Sequence, residues 1–194
     1  MMVPRASSSL LINGGFDVPA TFFAVFPGVD SDTDFPGWDL VITNGFAGVS
    51  DDNGFATDLF NVYASDDGTP IALITDADDR PAASAGTEYT LTLRSLNENS
   101  TSGFTAAIEF FDASGTFLAG TPVSLGVGAA ANTAFSYTTS AIAPVDTAAV
   151  GVRLQTSGDS SATVLFDDVA LIPEPGSLAL AVTGLVLIAA RRRR

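Results

Sequence analysis

The sequence predicts an all-β protein, an antiparallel β-sandwich followed by a single C-terminal transmembrane helix. Between residues 10 and 172, short runs rich in aromatic and β-branched residues alternate with turn-rich stretches. No stretch before residue 173 has a sustained helical period. Residues 173–194 combine an apolar run with a terminal cluster of arginines. These observations divide the chain into three parts. Residues 1–9 are an unstructured segment or the remnant of a signal-cleavage region, residues 10–172 form the sandwich, and residues 173–194 form the tail.

The strands of the sandwich are predicted from runs in which apolar and polar residues alternate with period two, as in Tyr-Thr-Leu-Thr-Leu-Arg at 89–94. Runs of strand character occupy 38–43, 59–64, 71–75, 89–94, 104–111, 135–138, 150–154 and 162–171. Their separators contain Gly, Asp, Asn and Pro, which favour turns. About eight to ten strands in roughly 160 residues indicate a sandwich, and we favour a jelly roll. An immunoglobulin-like sandwich and two small β domains are the alternatives.

The composition excludes several classes of chemistry. The 194 residues include 22 acidic and 8 basic side chains and no His, Cys or Lys, so the net charge is −14. No thiolate or imidazole exists to act as a nucleophile, a general base or a soft-metal ligand. Residues 1–172 hold 4 Arg and 21 acidic residues, a net charge of 4 − 21 = −17. Such a surface repels phosphate backbones and anionic headgroups, which argues against nucleic-acid binding.

The tail is predicted to enter a membrane. Residues 178–190 carry no charged side chain and are followed at once by Arg191, Arg192, Arg193 and Arg194. A helix over 176–190 would be about 22 Å long, short of the hydrocarbon thickness of about 30 Å, and long arginine side chains can extend it. The arginines fix the C-terminus on the cytoplasmic side and the acidic body on the far side. The alternative is a buried helix of a soluble protein, although this segment lacks a polar face.

The order of features in the tail also resembles a known sorting signal. Pro173, Glu174 and Pro175 precede the apolar run and the arginine cluster. This resembles the PEP-CTERM signal of exopolysaccharide-forming bacteria. The resemblance implies recognition in the inner membrane by an exosortase, a processing enzyme thought to act at the Pro-Glu-Pro site, and delivery of the body to the cell surface or extracellular matrix. The two prolines block helix formation and hold the site extended.

Proteins with this signal normally also carry an N-terminal signal peptide. Residues 1–11 contain no apolar run of about 7 to 15 residues, the length such a peptide requires. We therefore expect the true start codon to lie upstream, with residues 4–9 as the remnant of a cleavage region.

The body resembles jelly-roll carbohydrate-binding modules and related galactose-binding-like domains. The landmarks are Asn-Gly-Gly-Phe-Asp at 13–17, Pro-Gly-Trp at 36–38, Gly-Thr-Glu-Tyr-Thr-Leu at 86–91 and Phe-Asp-Asp-Val at 166–169. The resemblance implies that the first and last strands are neighbours and that one structural Ca²⁺ lies where they meet. Its carboxylate ligands would be Asp17 and either Asp167 or Asp168. The family usually has Glu where this chain has Asp17.

Carbohydrate binding requires exposed aromatic rings, because sugar rings stack their apolar faces on such side chains. Trp38 and Tyr63 are the candidates, the alternative for Trp38 being a place in the core, and we assign the phenylalanines to the core. The predicted function is that of an exported, non-enzymatic surface or matrix protein that binds extracellular polysaccharide. A structural or adhesive coat protein without a sugar site is the alternative. A glycan-processing enzyme is less favoured, because nothing selects a catalytic pair among the carboxylates.

Overall fold

Twelve β-strands make up the part of the chain that the computed structural model describes. The described residues are 9–12, 14–16, 23–25, 36–42, 46–50, 61–65, 68–97, 103–126, 130–157 and 163–174. For the short strands at 23–25 and 61–65 only the backbone is described. All strand pairs in these residues are antiparallel.

The strands form two sheets. Sheet A has the order β1 (Phe23–Val25), β3 (Phe46–Ser50), β4 (Asn61–Ser65), β12 (Thr163–Pro173), β6 (Glu88–Asn97), β10 (Ala134–Ile142). Sheet B has the order β2 (Trp38–Val41), β5 (Ala72–Thr75), β11 (Ala149–Thr156), β7 (Phe104–Phe111), β8 (Phe117–Gly120), and β9 (Val123–Leu125) also pairs with β7. In both sheets most neighbouring strands are not consecutive in the chain, so most strand pairs join residues that are far apart in the sequence.

The core lies between the two sheets. Side chains of a strand alternate between its faces, and in β6 the fully buried Leu91 and Leu93 alternate with half-buried threonines. Ile108 and Phe110 of β7 alternate with Glu109 in the same way and join the same buried cluster. Because this cluster takes residues from both sheets, the sheets pack face to face and the all-β sandwich is confirmed.

The N-terminal segment of the described chain lies beside the last strand. The amide of Leu10 donates to the carbonyl of Leu171 at 2.8 Å, and the amide of Val169 donates to the carbonyl of Gly14 at 2.8 Å. The backbones approach so closely that a Cβ at Gly14 would collide with the carbonyl oxygen of Val169. The body resemblance implies that the first and last strands are neighbours; here the segment beside β12 precedes β1, and β1 itself is separated from β12 by β3 and β4.

The eight predicted runs coincide with β2, β4, β5, β6, β7, β10, β11 and β12. Four strands, β1, β3, β8 and β9, were not predicted, so the expected count of about eight to ten is too low. They have three to five residues each, but so do β2, β4 and β5, so length alone does not account for the difference.

The predicted transmembrane helix at 176–190 lies outside the described residues. Within the residues that are described, the structure contains no helix with the length and apolar character needed to span a membrane.

Candidate functional site

A cleft of about 350 Å³ opens on the outer face of sheet B, and we call it the sheet-B cleft. It is lined by Asp39, Val41, Ile74, Arg80, Glu109, Phe111, Phe117 and Arg153. Glu109 and Phe111 face outwards because they alternate along β7 with the core residues Ile108 and Phe110. The volume is in the range of small-ligand sites.

Glycines form part of the floor of the cleft. Glu109 on β7 is opposite Gly151 of β11 on one side and Gly120 of β8 on the other. A Cβ at Gly151 would lie 3.4 Å from Phe111 Cε2, and one at Gly120 would lie 3.3 Å from Phe117 Cζ. The two phenylalanine rings therefore occupy space that side chains at these two positions would fill.

An ion pair crosses the floor between β7 and β11. Arg153 Nε donates to Glu109 Oε1 at 2.7 Å, while the Glu109 side chain is 9% exposed and that of Arg153 is 34% exposed. A short, charge-assisted bond of this kind fixes the positions of both side chains. The two charges cancel, so this pair offers hydrogen-bonding groups to a ligand without net charge.

Arg80 lies flat over an aromatic ring in the same cleft. Its Cζ is 3.7 Å from the centroid of the Phe111 ring, a cation–π contact. The described part of the chain contains three arginines, and the other two pair with carboxylates: Arg153 with Glu109, and Arg94 Nη1 with Asp168 Oδ2 at 3.2 Å. Within the described residues, Arg80 forms no ion pair.

Phe117 provides the exposed aromatic surface of the cleft. Its side chain is 55% exposed, and its ring meets that of Phe111 edge-on, with centroids 5.9 Å apart. The preceding turn is fixed by Asp112, whose Oδ1 accepts from the hydroxyl and amide of Ser114 and from the amide of Thr116. These bonds lower the pKa of Asp112 below its ordinary value, and the bond from the Ser114 hydroxyl has the largest effect. The turn therefore holds the start of β8, and with it Phe117, in place.

The structure corrects the prediction for Trp38. Its side chain is 1% exposed and packs against Phe16, with ring centroids 5.5 Å apart. Burial leaves no face of the ring on which a sugar could stack. Trp38 is therefore a core residue, which was the alternative to sugar binding. The side chain of Tyr63, the second candidate, lies outside the described residues.

The two aspartates predicted as alternative metal ligands have different environments. Asp167 is 1% exposed, and its Oδ1 accepts from the amide of Asp168 at 2.7 Å. Asp168 has a φ of +50° at a β-bulge, and its side chain is 52% exposed and paired with Arg94. Asp17 lies outside the described residues. Among the residues that are described, no three acidic side chains cluster as metal ligands would.

The beginning of the predicted sorting motif belongs to the last strand of the sandwich. Pro173 is the last residue of β12, opposite Tyr89, one residue beyond the predicted end of the body. The amide of Glu174 donates to the carbonyl of Glu88 at 2.8 Å. Pro175 and the arginines at 191–194 lie outside the described residues.

Sequence reasoning missed Phe117 and Arg80 as residues of a site. Phe117 was assigned to the core with the other phenylalanines, although it follows the turn signal Ser-Gly-Thr at 114–116 and belongs to a short run. The sequence feature that could have pointed to Arg80 is the small number of basic residues, since residues 1–172 contain only four arginines. Two of these four line the cleft.

Known structures with a similar fold include carbohydrate-binding modules. The chain is similar to a structure titled Family 16 Carbohydrate Binding Module-2, with a TM-score of 0.54, 13% identity and coverage of 84% of this chain and 99% of that one. It is similar to TmCBM61 in complex with β-1,4-galactotriose, with a TM-score of 0.51, 15% identity and coverage of 87% and 100%.

The fold also occurs within a longer protein. The enzymatically active domain of tailspike protein 4 of bacteriophage CBA120 matches with a TM-score of 0.61 and 14% identity over 86% of this chain, which spans 21% of that chain. No protein-family model and no curated protein matches the chain. At these identities the likeness shows a shared sandwich fold.

Proposed function

We propose that the body binds carbohydrate in the sheet-B cleft. The observation that carries the proposal is the exposed ring of Phe117 beside the fixed Arg153–Glu109 pair, in a cleft of small-ligand size. The likeness to carbohydrate-binding modules, one of them in complex with a galactotriose, supports this choice of ligand class.

The chemistry of the cleft suits a sugar ring. A pyranose has apolar C–H faces and a rim of hydroxyl groups, so it combines stacking on an aromatic ring with hydrogen bonds at its edge. Phe117 would take one face of the ring. Glu109 accepts and Arg153 donates hydrogen bonds, and because they already hold each other in place, little side-chain entropy is lost on binding.

The test compares two exposed phenylalanines. In affinity electrophoresis of the full-length chain in non-ionic detergent through galactan, xylan, glucan and polygalacturonate gels, Phe117→Ala should weaken retention at least about tenfold. Phe135→Ala is the matched control, because Phe135 is 38% exposed and lies on β10 of sheet A. An equal effect of both variants would contradict the placement of the site. No retention of the wild type on any glycan would favour the coat-protein alternative.

We propose that the body binds without catalysing a reaction. Glu109 is the one glutamate that lines the cleft, and its Oε1 is engaged by Arg153 at 2.7 Å. A glycosidase acid must present a proton to the leaving group, whereas Glu109 Oε1 accepts a hydrogen bond from Arg153 Nε. Release of reducing sugar from any of the four polysaccharides by the purified chain would contradict this proposal.

We further propose one structural Ca²⁺ at the junction of the N-terminal segment and β12. The buried carboxylate of Asp167 suits a hard cation that prefers oxygen ligands, and Asp17 would be its sequence-predicted partner. After chelator treatment, excess Ca²⁺ should raise the melting temperature of the wild type. Asp167→Asn should abolish this rise, whereas Asp168→Asn, which changes the exposed neighbour, should retain it. The same rise in all three proteins would exclude Asp167 as a ligand.

We also propose that the tail directs export and processing of the protein. Residues 173–194 would be recognised in the inner membrane by an exosortase-type enzyme, leaving the body at the cell surface or in the extracellular matrix. The order of motif, apolar run and arginine cluster supports this proposal. Mass spectrometry of the protein recovered from cells should find a C-terminus near Glu174. Full-length chain in the cytosolic fraction would contradict it.

A further inference from the structure

We propose that the glycan bound in the sheet-B cleft contains a uronic acid and that Arg80 binds its carboxylate. This inference rests on the proposed carbohydrate binding and specifies its ligand.

The charge balance of the chain sets Arg80 apart from the other arginines. Carboxylates outnumber arginines by 22 to 8, so a partner for each arginine is available in the sequence. Arg94 and Arg153 both have one, yet Arg80 forms no ion pair with any described residue and lies in the cleft instead. The net charge of −14 repels a polyanion at long range, but a guanidinium fixed in the cleft can pair with a single carboxylate at contact distance.

Arg80 is held in place by an aromatic ring. Its guanidinium stacks on Phe111, which is 5% exposed and therefore a fixed support. Its Nε is buried and has no hydrogen-bond partner among the described residues. A guanidinium fixed in this way keeps its planar fork of donors oriented, and that fork matches the two oxygens of a carboxylate.

The other charged side chains of the cleft do not neutralise Arg80. Glu109 is neutralised by Arg153. Asp39 is on β2, whereas Arg80 and the Phe111 ring lie against Gly151 of β11, two strand spacings or about 10 Å away. The carboxylates of the cleft therefore leave the positive charge over Phe111 in place.

Arg80 and Phe117 can act on the same sugar residue. Both contact the Phe111 ring, the guanidinium at its face and the Phe117 ring at 5.9 Å between centroids. In a uronic acid the carboxylate is attached directly to the sugar ring. One residue could therefore stack on Phe117 and place its carboxylate against Arg80.

The experiment uses polygalacturonate, alginate and hyaluronate, each paired with its carboxyl-reduced form, together with a sulfated galactan. The full-length wild type should bind at least one uronate polymer about tenfold more tightly than its reduced form, because a charge-assisted pair replaces a neutral hydrogen bond. Arg80→Gln should lose this preference, and Arg80→Lys should retain only part of it. Arg94→Gln, which removes an arginine outside the cleft, should behave as the wild type.

The possible outcomes separate the two proposals. If reduced and native polymers bind equally, or if only the sulfated galactan depends on Arg80, the inference is overturned while carbohydrate binding stands. If no polymer binds, charged or neutral, the proposed function itself fails. Thermal melts of all variants show whether a loss of binding comes from unfolding.

Discussion

Gly14 lies directly against the last strand, where it leaves no room for a side chain. A Cβ at this position would collide with the carbonyl oxygen of Val169. The backbone at Gly14 and the backbone at Val169 cannot move apart without breaking the hydrogen bond from Val169 N to Gly14 O. We expect Gly14→Ala to lower the free energy of unfolding by about 2–3 kcal/mol. Urea denaturation followed by fluorescence measures the change.

Gly86 provides the control for this prediction. A Cβ at Gly86 has nothing within 4 Å, but the residue has a φ of +78°, which is unfavourable for alanine. Gly86→Ala should therefore cost only about 1 kcal/mol from the backbone conformation. If the two variants lose the same stability, the close approach at Gly14 contributes nothing of its own.

The individual residues of the site show the limit of sequence reasoning at this scale. Trp38 was predicted as a ligand-binding residue because of its type, and it is buried, whereas Phe117 was predicted as a core residue and is 55% exposed. Residue type alone does not determine exposure. Which face of a strand is covered depends on the sheet that packs against it, and sequence periodicity in one strand does not reveal that partner.

At the scale of the strand, β6 tests whether alternation places the core correctly. Leu91 is fully buried, and its neighbour Thr92 is half-buried, in a strand between β12 and β10. Leu91→Ala should lower the free energy of unfolding by about 3 kcal/mol, because it leaves a cavity in the core. Thr92→Ala should change it by about 0.5 kcal/mol. Similar losses in urea denaturation would mean that both faces of β6 are equally packed.

The strands that sequence analysis predicted are those whose pattern is local. The run at 104–111 coincides with β7 from end to end, since its aromatic and β-branched residues favour a strand by themselves. β8 and β9, of four and three residues, are strands because each pairs with β7. Their structure depends on a neighbour, so their own sequences gave too little signal.

The cleft could not be predicted for the same reason. Its lining comes from β2, β5, β11, β7 and β8, and from Arg80 in the connection after β5. The pairing of Glu109 with Arg153 joins residues 44 positions apart. The antiparallel register brings them together, and that register follows from the packing of the whole sandwich rather than from either strand.

At the scale of the whole molecule, the net charge of −14 sets a prediction for salt dependence. Like charges on the folded surface repel one another, and this repulsion destabilises the compact state at low ionic strength. Raising NaCl from about 10 to about 300 mM shortens the screening length from about 30 to about 6 Å, so the melting temperature should rise by about 2–4 °C.

Asp78 and Asp146 supply a variant that separates net charge from specific ion binding. Both are exposed, and Asp146 has a φ of +68°, a conformation that asparagine tolerates well. The double variant Asp78→Asn/Asp146→Asn has a net charge of −14 + 2 = −12 and should show a smaller rise in melting temperature with NaCl. Calorimetric scans in NaCl and in KCl should agree, because screening depends on ionic strength and not on the cation. A melting temperature that falls with salt would mean that attractive ion pairs such as Arg153–Glu109 outweigh the repulsion of the acidic surface.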